Sequence, residues 1–130
     1  MLELSYKTRI YYDDTDAGGV VYYANYLKLC ERAKQEFFLL KGCDLFKLHY
    51  EGIYLVVRSV KAEFIKSLYF GDEVEVYVGV EKIRKASIQG NFEIRRAKDK
   101  ETVAKVWILS AAVDRSGKIV RLPECLRSLT

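Results

Sequence analysis

A chain of 130 residues, half of them hydrophobic, is sized for one compact domain with one core, and nothing marks a boundary within residues 1–130. Lys, Arg, Asp or Glu interrupts every apolar run, which excludes a membrane-spanning helix. Met1-Leu2-Glu3-Leu4-Ser5-Tyr6 lacks the basic-then-apolar layout of a secretory signal, so a cytoplasmic location is expected. The net charge of +4 does not point to nucleic acid and suits an anionic small molecule or an acidic protein partner.

In chain order, Leu4 to Tyr12 is rich in Tyr, Ile and Thr and predicts an outer strand, with Tyr6, Tyr11 and Tyr12 filling both faces. Asp13-Asp14-Thr15-Asp16-Ala17-Gly18-Gly19 demands a loop. One long helix follows, from Tyr23 or Asn25 to Lys41. Its apolar positions Tyr26, Cys30, Ala33, Phe37 and Leu40 step by four, three, four and three and make a continuous stripe, and Gly42 stops it. Leu45 to Tyr50 reads as a short helical turn.

The remainder predicts strands. Ile53 to Phe64 is β-rich, and Gly71-Asp72 turns the chain. Val74, Val76, Val78 and Val80 alternate with Glu73, Glu75, Tyr77 and Glu81, giving one buried face and one wet face. Ile88, Phe92 and Ile94 alternate in the same way with Gln89, Asn91, Glu93 and Arg95. Thr102 to Val113 is apolar on both faces except at Lys105, which predicts a central strand; Leu122-Pro123-Glu124 closes the sheet region. The class is α+β. A lone amphipathic helix buries its stripe by lying across the concave face of such a sheet. The exposed edges predict a dimer, with the joint as a natural place for a site.

Cys30, Cys43 and Cys125 are odd in number and lack C-x-x-C spacing, so three buried thiols are expected rather than a disulfide framework or a zinc site. A catalytic thiol needs a base, and the one histidine leaves Cys30–His49 as the candidate dyad.

Chemistry concentrates between Asp13 and Asn25. Asp16 sits in the loop, Gly18 and Gly19 let the backbone turn behind it, and the chain runs directly into the long helix. A helix N-terminus offers unpaired N–H groups that polarise a carbonyl and stabilise charge developing on its oxygen. A carboxylate just upstream can attack that carbonyl or activate a water. The same residues also read as an ordinary solvated turn. A calcium loop, which Asp14-x-Asp16 could begin, lacks the third ligand, the glycine spacing and the closing Glu.

The run from Tyr11 to Tyr26, YYDDTDAGGVVYYANY, resembles the signature of the hotdog-fold thioesterases. It is similar to the 4-hydroxybenzoyl-CoA thioesterase family and its Tol–Pal-associated bacterial acyl-CoA thioesterase branch. Cys30-Glu31-Arg32-Ala33, Leu55-Val56-Val57-Arg58, Phe70-Gly71-Asp72 and Arg121-Leu122-Pro123 extend the resemblance along the chain. It implies a hotdog fold, one long helix wrapped by a strongly curved antiparallel sheet, and hydrolysis of acyl-CoA with no metal or cofactor. It implies Asp16 as the catalytic carboxylate, acting as nucleophile or general base. The backbone N–H of Tyr23 would polarise the thioester, and Gly18 and Gly19 would shape the turn. The Tol–Pal branch commonly has His where this chain has Tyr23, so the backbone of Tyr23 is expected to act and its ring to form an aromatic wall.

In similar thioesterases, basic residues of the strand turn and of the C-terminal segment hold the nucleotide phosphates. Here that implies Arg84, Lys85 and Arg121, with Lys82 and Ser87 beside them. Arg58 is expected to pair with Glu31 or Glu63, and Tyr22, Tyr26, Tyr54 and Tyr69 to pack helix on sheet or line an acyl pocket. A homodimer or dimer of dimers (a homotetramer) is expected. The rivals are a hotdog dehydratase, for which only His49 is available, and a binding module for an acyl carrier protein or an envelope complex.

Overall fold

The computed structural model describes residues 1–129. Five strands, β1 (Glu3–Arg9), β2 (Tyr54–Phe64), β3 (Glu73–Ile83), β4 (Ser87–Arg96) and β5 (Thr102–Val113), form one antiparallel sheet in the order β1-β3-β4-β5-β2. The long helix α1 (Tyr23–Leu40) crosses the sheet and packs on β1, β3, β4 and β5. Two short helices, α2 (Leu45–Tyr50) and α3 (Glu124–Arg127), follow α1 and end the chain. Register shifts beside Tyr6, Arg58, Lys82 and Arg95 kink the strands and curve the sheet around α1. Among the described residues, no helix is long and apolar enough to cross a membrane.

The core lies between α1 and the concave face. Leu29, Cys30, Ala33, Phe37 and Phe38 meet Val76, Val78, Phe92, Ile94, Val106 and Ile108, all buried. The predicted stripe holds except at its end: Leu40 is 74% exposed, because α1 stops there and overshoots the sheet. Lys34 is buried instead, its ammonium 2.8 Å from a Glu31 oxygen, so an ion pair satisfies what would otherwise be a stranded charge. Glu31 is therefore not the partner of Arg58, which is exposed and forms no ion pair among the described residues.

Two further expectations are corrected and one holds. The first strand stops at Arg9 rather than Tyr12: Ile10 turns into the core, Asp14 takes the Tyr11 N–H, and Tyr11 and Tyr12 leave the sheet exposed. The expectation of a central strand holds for β5, which is paired on both sides by β4 and β2, and Lys61 of β2 lies over Trp107, 5.1 Å from the ring centroid. Cys43 and Cys125 are joined as a disulfide, with Cα atoms 5.3 Å apart across 82 residues of sequence; only Cys30 is a buried thiol. The linker after α1 folds onto α3, a proximity that cysteine spacing does not reveal.

Candidate active site

The Asp16 loop is a small hairpin laid against the β2–β3 connection. Thr15 and Val21 form a bridge, the Asp16 N–H donates to the Val20 carbonyl at 2.9 Å, and the Gly19 N–H returns to the Asp16 carbonyl at 3.1 Å. Gly19 has φ +78°, a left-handed conformation that an L side chain would strain. Val21 and Phe70 N–H groups, donating to Leu68 and Gly19 carbonyls, dock this hairpin on residues 68–70. The Asp16 side chain is exposed and oriented by its own loop: Oδ1 accepts the Gly18 N–H at 2.8 Å and the Val20 N–H at 3.4 Å. No partner contacts Oδ2 among the described residues, so one carboxylate oxygen is fixed and the other is available.

α1 begins directly after the hairpin that holds this carboxylate. Tyr22, the residue that caps α1, supplies no side-chain bond. Its own N–H donates to the Asp14 carbonyl at 3.1 Å, and the Asn25 N–H donates to the Tyr22 carbonyl at 2.8 Å. The N–H groups of Tyr23 and Ala24 have no acceptor among the described residues. Two donors at the positive end of an 18-residue helix are thus left open, directly after the hairpin that carries Asp16.

Aromatic side chains surround the opening. Tyr22 and Tyr23 rings lie 4.8 Å apart, Phe64 meets Tyr23 edge-on at 6.1 Å, and Tyr12 stacks on Phe70 at 3.9 Å. The neighbouring Tyr23 phenol raises the Tyr22 phenol above its ordinary value. Tyr22, Tyr23 and Tyr69 are exposed around the opening, whereas Tyr26 is buried packing and accepts the Leu68 N–H.

Arg84, Lys85, Ser87 and Arg121 do come together, but elsewhere. Arg84 N–H donates to the Ser87 carbonyl across a two-residue turn joining β3 to β4, and Leu122 N–H donates to the Lys85 carbonyl at 2.9 Å. Arg121 is thereby held next to the turn; Arg84, Lys85 and Arg121 are all exposed. The Asp16 hairpin is tied to the opposite end of β3, where Gly71 N–H meets the Ile10 carbonyl. Eleven residues of strand separate the two clusters, roughly 30 Å at the usual rise.

The thiol–imidazole alternative does not assemble. Cys30 is buried, burial pushes its thiol well above the ordinary range, and no hydrogen bond joins it to His49. His49 lies on α2 with its ring against Tyr50 and Tyr54, beyond the far end of α1 from Asp16. With Glu31, Lys34 and Gln35 it lines a cleft of about 270 Å³.

Sequence reasoning missed two residues of the hairpin. Asp14 is buried rather than solvated: Oδ2 accepts the Tyr11 N–H at 2.9 Å, and its carbonyl takes the Asn25 side-chain amide at 2.8 Å. The available signal was an Asn at the third position of a helix whose capping residue, Tyr22, cannot cap it.

A family model described as the thioesterase-like superfamily matches residues 11–128. The acyl-CoA thioesterase YbgC of Helicobacter pylori is 42% identical over 82 residues, covering 63% of this chain and 59% of that protein. The match thus spans less than two thirds of that relative's length. The acyl-CoA thioesterase YbgC of Haemophilus influenzae is 32% identical over 111 residues, 85% of this chain and 80% of that one. The crystal structure of a hypothetical protein from Aquifex aeolicus, 29% identical, aligns with a TM-score of 0.88 over 96% of this chain and 98% of the other.

Proposed function

Because the chain belongs to the thioesterase-like superfamily and has its hotdog fold, we propose that it hydrolyses acyl-CoA thioesters at Asp16. One observation carries this reading: a carboxylate with one free oxygen sits in a hairpin that leads straight into two helix N–H groups with no acceptor. The thioester oxygen accepts the Tyr23 N–H, with Ala24 alongside, and the helix end stabilises the negative charge that builds there. Asp16 either attacks the carbonyl carbon, expelling the CoA thiolate and leaving a mixed anhydride that water opens, or takes a proton from the water that attacks. Both routes end in free acid and thiol. Gly18 and Gly19 keep the turn open behind the carboxylate.

The binding half comes from a second copy. Within one chain the Arg84, Lys85 and Arg121 cluster is a sheet-length from Asp16, beyond the reach of one pantetheine arm. β2 is a free edge whose residues from Val56 to Lys61 are all exposed, including Val57 and Val60. Two copies paired antiparallel along β2 bring the cations of one to the Asp16 end of the other, giving a dimer, or a dimer of dimers, with sites between subunits. Ser87 lies beside those cations and completes the phosphate-binding group.

Thiol release over a panel of acyl-CoA esters tests the proposal. Asp16→Asn is expected to lower kcat by roughly 10³-fold with the melting temperature unchanged, since the side chain is exposed. Full activity in that variant would sink the site assignment. Absence of thiol release from every acyl-CoA and acyl-carrier thioester would favour a module that binds an acyl carrier protein.

A further inference from the structure

Asp14 and Asn25 join the Asp16 hairpin to the helix start, and how they do so bears on the reaction. A helix usually begins with a side-chain oxygen that accepts an N–H of the first turn. Such a cap would occupy donors that a thioester oxygen needs. In this chain the junction is made with the opposite polarity. The anchor is the Asp14 carbonyl, which receives two donors, the Tyr22 N–H at 3.1 Å and the Asn25 Nδ2 at 2.8 Å. A carbonyl oxygen has two lone pairs, so both are engaged. Asp14 is itself held from the other side, its buried carboxylate accepting the Tyr11 N–H at 2.9 Å with the Lys28 ammonium 3.8 Å away.

We infer that Asn25 and Asp14 are positioning residues for the reaction proposed above: the Asn25 amide clasps the Asp14 carbonyl, fixing Asp16 against the start of α1 while leaving the Tyr23 and Ala24 N–H groups free for substrate. The inference rests on that hydrolase reading. It explains why an amide serves at Asn25, the third residue of α1: its Nδ2 donates back to the Asp14 carbonyl, which a carboxylate at the same position could not do.

The experiment compares wild type, Asn25→Ala and Asn25→Gln in steady-state thiol release, together with binding of a non-hydrolysable acyl-CoA thioether and thermal melting. Asn25→Ala is expected to lose roughly 10- to 100-fold in kcat through misplacement of Asp16. Thioether affinity should stay within about twofold, because Asn25 touches neither acyl group nor nucleotide. Asn25→Gln, which restores the donor on a longer arm, should recover part of the lost kcat. If Asn25→Ala fails to fold, Asn25→Asp carries the test, being isosteric and favoured at a helix start by its charge; it should fold and still lose kcat. Wild-type kcat in folded Asn25→Ala or Asn25→Asp overturns the clasp alone. So does a loss that appears equally in kcat and thioether affinity. A wild-type protein that hydrolyses no thioester overturns the hydrolase reading and the clasp with it, and the two failures are told apart by the wild-type assay.

Discussion

The two ends of the sheet are built on different terms. At the Asp16 end the parts are backbone groups: hydrogen bonds within residues 11–26, and a few to residues 68–72, fix a carboxylate against a helix start. At the turn between β3 and β4 the parts are long, exposed cations, and what steadies them comes from far along the chain, the Lys85–Leu122 hydrogen bond and the Cys43–Cys125 disulfide. The difference suits the two tasks proposed for these ends. Attack on a carbonyl fails when atoms are displaced by an ångström, so it is set on backbone. Recognition of phosphate charge falls off gently with distance, so flexible side chains suffice.

The largest expected effect on this contrast comes from the covalent tie. Replacing Cys43 and Cys125 by Ser releases a loop of 82 residues and should cost about 2–4 kcal/mol of stability, or roughly 10 °C in melting temperature. It should leave kcat intact, because the tie is remote from the hairpin; a fall in kcat matching that of Asp16→Asn would break the separation of the two ends.

A smaller effect tests whether the ends meet across subunits. Arg84→Ala with Lys85→Ala should raise KM for acyl-CoA about tenfold, and leave KM for a short thioester without the nucleotide unchanged. Mixing this variant with Asp16→Asn should restore about a quarter of wild-type turnover at low substrate, since half of the dimers are mixed and each holds one intact site. No recovery after subunit exchange would place both clusters in one chain and defeat the intersubunit site.

The smallest effect concerns the Asp16 end away from the hairpin. The Glu75 carboxylate accepts the Lys100 ammonium at 2.9 and 3.0 Å, and this pairing holds its carboxyl below the usual range. A depressed carboxylate contributes stability above its unfolded pKa and loses it as pH falls through the folded value. Lys100→Met should therefore melt slightly lower than wild type at pH 7, and the gap should close as pH falls below the ordinary carboxylate range. A gap that persists in acid would assign the effect to packing of the side chain at position 100 rather than to the ion pair.

Legibility in the sequence follows the same division. The period of α1, the alternation of Val74, Val76 and Val78, and the Asp16 loop are local, and each is readable from neighbours a few residues apart. Asp14 was misjudged because its burial depends on Tyr11 and Asn25 together, one on each side of the turn. The Cys43–Cys125 bond was missed because only the completed fold brings residues so distant together. The burial of Lys34 is not legible from its residue type, since a lysine is ordinarily exposed; the Glu31 partner one turn earlier makes its burial tolerable.

The strand order has a consequence for how the chain is made. β1 and β2 come first in sequence, yet they form the two edges of the sheet and pair with β3 and β5. Tyr54 waits for Val113 and Phe64 for Ala104, while β3, β4 and β5 join as successive hairpins. During vectorial synthesis the sheet thus begins in the second half of the chain, where loop closure is short. Until Thr102–Val113 has emerged, β2 has no strand on either side, and the nascent chain carries its future edge uncovered.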